Sequence, residues 1–130
     1  MSVHKPVNTS GIYFVTFTCY KWLHLIELTQ AYDEVYNFFE VLQKQGHEVL
    51  GYTIMPNHVH FLLFFNMQKQ SLNTVIGNGK RFMGYEIVKR LQKQNASAVL
   101  TILEQSVVEA ERKRKGSGIR NISYGKEHSM

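Results

Sequence analysis

Residues 58 to 65, His-Val-His-Phe-Leu-Leu-Phe-Phe, constrain the fold more than any other stretch of this chain. Side chains of a β-strand alternate between two faces with period two. Val59, Phe61, Leu63 and Phe65 therefore share a wholly apolar face that needs a covering layer. His58, His60, Leu62 and Phe64 share the other, with both imidazoles at the strand's N-terminal end. Pro56-Asn57 before it marks a turn, and His47 to Met55 reads as a further strand. Residues 47–65 thus predict a β-hairpin.

The rest of the chain supplies the covering layer. Tyr13 to Tyr20 is aromatic and β-branched and reads as the first strand. A helix capped by Thr29 runs to about Gln45, with Val35, Phe38, Phe39 and Leu42 at helical spacing and Gly46 as its stop. A long helix from Ser71 to about Gln94 buries Leu72, Ile76, Met83, Ile87 and Leu91. Gly77 and Gly79 predict a kink or break within it. A last helix covers about Ala98 to Arg112, with Val99, Leu103, Val107 and Ala110 on one face. The order β-α-β-β-α-α predicts an α+β fold, an antiparallel sheet with helices packed on one face. A ferredoxin- or RRM-like split β-α-β unit fits it, although no fourth strand is evident. Residues 1–112 read as one domain and 113–130 as a basic tail, disordered or truncated.

Composition narrows the partners. A hydrophobic share of 44% against 19% charged residues marks a globular chain, not a disordered one. The net charge of +5 and pI near 9.4 favour polyanions, nucleic acid first. The single cysteine, Cys19, excludes an internal disulfide and a cysteine-rich zinc site. The longest apolar run, Phe61 to Phe65, is far too short to span a membrane, and residues 1–11 hold no signal-peptide core. These features predict a cytoplasmic protein with no membrane partner.

Two imidazoles on one strand face can ligate a divalent metal and leave positions for water and substrate. By spacing alone, His-x-His fits a solvated sheet face equally well. The string Gly51-Tyr52-Thr53-Ile54-Met55-Pro56-Asn57-His58-Val59-His60 carries more. It resembles the signature of the single-tyrosine HUH transposases, which include insertion-sequence and REP-associated tyrosine transposases. The resemblance extends from about Tyr13 to Arg114, through Lys80-Arg81-Phe82-Met83-Gly84-Tyr85-Glu86-Ile87-Val88-Lys89-Arg90-Leu91.

The resemblance implies a DNA transposase acting on single-stranded DNA, with hairpin-bearing element ends as its substrate. A helix-borne tyrosine attacks a phosphodiester, giving a 5′-phosphotyrosine and a free 3′-hydroxyl. His58 and His60 are implied as ligands of Mg2+ or Mn2+, which polarises the phosphate. Of seven tyrosines, Tyr85 lies on the long helix after the His-x-His strand, where the resemblance places the nucleophile. Lys80, Arg81, Lys89 and Arg90 cluster around it as candidate nucleic-acid contacts.

The third metal ligand implied about one turn beyond the tyrosine is absent. Lys89 stands there, and an ammonium cannot coordinate a metal. Asn78, Glu86 and Gln92 are the nearby alternatives. The resemblance also fades near Arg114, which leaves as the alternative a truncated, impaired or domesticated homologue that binds single-stranded nucleic acid without cutting it. Aromatic edge strands predict a homodimer; the resemblance allows either one copy's tyrosine to meet the other's histidines or each copy to act in cis.

Overall fold

The computed structural model describes residues 9–113 and 119–126, with side chains from Thr9 to Gln105. The chain runs β1 (Gly11–Cys19), a three-residue 3-10 turn (Tyr20–Trp22), α1 (Leu25–Thr29) and α2 (Tyr32–Lys44). It continues through β2 (Glu48–Met55), β3 (His58–Phe65), α3 (Leu72–Lys93), α4 (Ser97–Lys113) and β4 (Ile119–Lys126). The four strands form one antiparallel sheet in the order β2-β3-β1-β4. This is the expected α+β class, with the strand order of a split β-α-β fold.

The fourth strand corrects the sequence reading, which took 119–126 for part of an unstructured tail. Its backbone pairs with β1 from Tyr13↔Lys126 to Cys19↔Ile119, across a register shift between Thr16 and Thr18. Ile119, Asn121, Ser123 and Gly125 alternate with Arg120, Ile122, Tyr124 and Lys126, so neither face reads as apolar. What calls for a strand here is the outer edge of β1, whose N–H and C=O groups need partners. The basic residues Arg114 and Lys115 and the side chains of Val107 and Ala110 lie outside what the structure describes.

The core forms as the alternation requires. Val59, Phe61, Leu63 and Phe65 are buried against Tyr13, Val15, Phe17 and Cys19 of β1. Above them α2 lays Phe38 and Phe39, whose rings lie 6.1 and 5.2 Å from Phe61. α3 adds Leu72, Val75, Ile76, Met83, Ile87 and Leu91. Each such side chain contributes roughly 1.5–3 kcal/mol through burial.

Several local expectations change. Thr29 does not cap α2; it ends α1, and its hydroxyl donates back to the Leu25 carbonyl at 2.7 Å. Gln30 then turns left-handed (φ 53°), separating the two helices. α2 stops as expected: Gly46 (φ +95°) donates to the Gln43 carbonyl and His47 to that of Leu42, a Schellman closure. α3 starts on Ser71, whose hydroxyl accepts from the Thr74 N–H at 3.2 Å. It runs unbroken through Gly77 and Gly79. A Cβ on Gly79 would stand 2.1 Å from the Phe38 ring, so this glycine serves close approach of α2 and α3, not a helix break.

Candidate active site on the open sheet face

The face of the sheet opposite α2 and α3 carries the histidine pair. In register, His58 lies between Thr18 of β1 and Met55 of β2, and His60 between Thr16 and Thr53. The two rings stand 4.7 Å apart, edge to face at 73°. The Pro56-Asn57 turn that aims them is tied down through backbone groups. The Pro56 carbonyl accepts from Ile26 and Glu27 N–H at 3.0 and 3.3 Å, satisfying the first turn of α1, which has no side-chain cap. The Asn57 carbonyl accepts from Cys19 N–H at 2.9 Å.

The Asn57 side chain sets the state of His58. Its amide nitrogen donates to the Trp22 carbonyl at 3.3 Å, which turns the amide oxygen toward His58 Nδ1, 2.7 Å away. An amide oxygen only accepts, so Nδ1 carries the proton and Nε2 the lone pair. Thr16 Oγ1 lies 3.0 Å from His60 Nδ1; when it accepts, His60 takes the same tautomer. Both Nε2 atoms stand outside the hydrogen bonds of the described residues. Burial, and then the neighbouring His58, pull the His60 pKa below the usual imidazole value and favour the neutral, ligating form.

This donor set fits a divalent ion that completes its coordination with substrate and water. Two imidazoles with fixed Nδ1 bonds resemble the ligand-plus-support pattern of metal sites. Among the described residues no group of three or more His, Cys, Asp or Glu converges. Within one chain Asn78, Glu86 and Gln92 stand away from the pair, because α3 packs on the other face of the sheet. Cys19 is buried, and burial pushes its thiol up to about 11, so it offers no thiolate.

Tyr85 is not brought to the histidines. α3 packs Met83 and Ile87 beside Phe17 and Val59, on the apolar face. Tyr85 points outward from α3, 61% exposed, while His58 and His60 occupy the far side of the sheet. Its helix neighbours four residues away are Arg81 and Lys89, both exposed. Arg81 is held by Asn78 Oδ1 at 2.7 Å and Lys89 by Glu86 at 3.2 Å.

Arg90, a nucleic-acid candidate by its place in the sequence, is engaged within the chain. Its guanidinium donates to the Thr29 and Gln30 carbonyls and to Asp33 and Glu34, at 2.9 to 3.2 Å. It ties α3 to the α1–α2 junction and holds the Asp33 carboxyl below its usual range. Lys80 is half-buried on the same helix.

Sequence reasoning passed over Trp22 and Thr16. Thr16 was findable, because it lies opposite His60 once β1 and β3 are paired. Trp22 was not, because its position depends on the turn after β1.

No family model and no curated protein matches the sequence. Solved structures do match in fold. One is a REP-associated tyrosine transposase bound to a REP hairpin: TM-score 0.55, 12% identity, covering all of this chain and 64% of that one. Another is a candidate transposase from Deinococcus radiodurans R1: TM-score 0.51, 13% identity, covering 72% of this chain and 71% of that one. The chain shares the fold of these transposases and spans about two thirds of the length of the first.

Proposed function

We propose that this chain is a single-tyrosine DNA transposase of the HUH type, acting on single-stranded DNA that carries hairpin ends. The observation that supports this most is the pair of half-buried imidazoles of His58 and His60, 4.7 Å apart on one sheet face, each with its Nδ1 in a side-chain hydrogen bond. That pair would hold Mg2+ or Mn2+, which supplies Lewis-acid polarisation of a phosphate when bound. The Tyr85 hydroxyl attacks phosphorus; a P–O bond to tyrosine forms, the bond to the 3′ oxygen breaks, and the phenolic proton passes through solvent to that oxygen. Arg81 and Lys89, one helical turn to either side of Tyr85, would attract the phosphate backbone toward it.

Within one chain the tyrosine and the histidines stand on opposite sides of the sheet, so the reaction needs two copies. One presents Tyr85 on its outer helix face; the other presents His58 and His60. The outer edge of β2, with exposed Leu50 and Tyr52, is open to such pairing. The same separation favours a second reading, a single-stranded nucleic-acid-binding domain that does not cut.

A denaturing gel after incubation with Mn2+ and hairpin-bearing single-stranded DNA separates them. A covalent protein–DNA adduct is expected from the native chain and none from Tyr85→Phe. Mixing Tyr85→Phe with a His58→Ala/His60→Ala chain restores it through composite sites. An adduct that persists in Tyr85→Phe removes that residue as nucleophile. DNA binding with no adduct from the native chain establishes the binding-only reading.

A further inference from the structure

The residue beside the histidine pair with no assigned task is Trp22, the only tryptophan of the chain. It closes the 3-10 turn between β1 and α1 and is 58% exposed. Trp22 and Lys21 both adopt positive φ, 58° and 50°. Two consecutive non-glycine residues in the left-handed region are strained, because Cβ crowds the backbone there. Surrounding contacts hold them there. Tyr20 is buried at the start of the turn, Leu23 N–H closes on its carbonyl at 3.1 Å, and Asn57 donates to the Trp22 carbonyl.

The result is an aromatic ring kept out of the core and set against the site. The Trp22 ring meets His58 edge to face at 5.7 Å. The same Asn57 amide reaches both residues, donating to the Trp22 carbonyl and accepting from His58 Nδ1. At the other end of the pair, Phe14 stacks on His60 at 5.3 Å and is 39% exposed. Two exposed aromatic rings thus flank two metal-ready imidazoles along one open face. A polynucleotide repeats phosphate and base in the same alternating way, and Lys21 adds positive charge beside Trp22.

We propose that Trp22 is a nucleobase-stacking subsite for single-stranded nucleic acid, seating the base next to the phosphate at His58 and His60. This deepens the functional reading above and rests on its phosphate site. A duplex is excluded as ligand, because its base faces are already stacked. Stacking on an aromatic ring tolerates any base, so the subsite sets strand position, not sequence.

Because Trp22 is the sole tryptophan, its emission reports the subsite directly. The full chain, in EDTA, is titrated with a short single-stranded oligodeoxynucleotide, an abasic sugar-phosphate oligomer of equal length, and inorganic phosphate. Only the base-bearing strand should quench. Anisotropy of a labelled strand should show Trp22→Ala weakening binding roughly five- to a hundred-fold, with Trp22→Phe close to native. Circular dichroism confirms that both variants are folded. Equal quenching by the abasic oligomer, or unchanged affinity in Trp22→Ala, overturns the subsite. In His58→Ala/His60→Ala any gain in affinity from Mn2+ is lost. Mn2+-dependent binding without base-dependent quenching defeats the stacking subsite alone. The reverse result defeats the metal reading alone.

Discussion

The two faces of β3 are made from adjacent residues and solve opposite problems. Val59, Phe61, Leu63 and Phe65 are shut away under α2 and α3, where any apolar shape of the right volume satisfies the chemistry. His58 and His60, one residue out of step, meet no covering layer among the described residues. Their order comes from directed contacts: Asn57 on one Nδ1, Thr16 on the other, and Phe14 and Trp22 against the rings. One face is held by area, the other by hydrogen-bond geometry. The first stabilises the molecule; the second holds two half-buried imidazoles side by side.

The largest test of this contrast compares neighbouring phenylalanines. Phe61→Ala removes a fully buried ring from the middle of the aromatic cluster and should cost about 3–5 kcal/mol in urea unfolding. Phe64→Ala, on the open face and partly exposed, should cost under about 1 kcal/mol. Equal losses would mean that the second face is covered after all, by another copy or another part of the protein.

A smaller effect probes how tightly the packed face closes. Gly79→Ala drives a methyl into the Phe38 ring and should destabilise by about 1–3 kcal/mol. Gly77→Ala, two residues along the same helix, meets nothing within 4 Å and should stabilise by roughly 0.5–1 kcal/mol through helix propensity. Two stabilising substitutions would show that α2 and α3 stand further apart than the Cβ contact implies.

The sequence disclosed these faces unequally. The period-two pattern of 58–65 gave the strand, its two faces and its hairpin partner, because burial imposes that pattern directly. The stripe on α3 was legible for the same reason, since all five residues named for it are buried. β4 was hidden because backbone pairing to β1 carries it, and backbone groups leave no side-chain signature. The continuous α3 was misread because Gly79 answers to Phe38, more than thirty residues away, and not to its own helix. At the site, the histidines were visible as a motif. The contacts that orient them come from β1 and the following turn, where Thr16 and Trp22 carry no local mark. The four acceptors that Arg90 serves at the α1–α2 junction were hidden for a related reason, since they lie more than fifty residues away in sequence.

The smallest test concerns a histidine on the packed side. His47 is buried, stacks on Phe65 at 4.9 Å, and accepts the Asn66 N–H on Nδ1 at 3.1 Å. Burial lowers its pKa below the usual imidazole value. The folded chain therefore binds fewer protons than the unfolded chain between the folded pKa and about 6.5. The stability that neutral His47 contributes is fully present above about pH 6.5 and is lost as pH falls through the folded value. Protonation also converts the accepting Nδ1 into a donor facing another donor. His47→Phe keeps the ring stack and removes the titration, leaving the Asn66 N–H unpaired at a cost of about 1 kcal/mol. Its urea stability at pH about 7.5 should therefore be lower than native, and its loss between about pH 7 and 5 shallower. An unchanged slope would move the acid sensitivity to the other face, where the lowered His60 predicts the same sign.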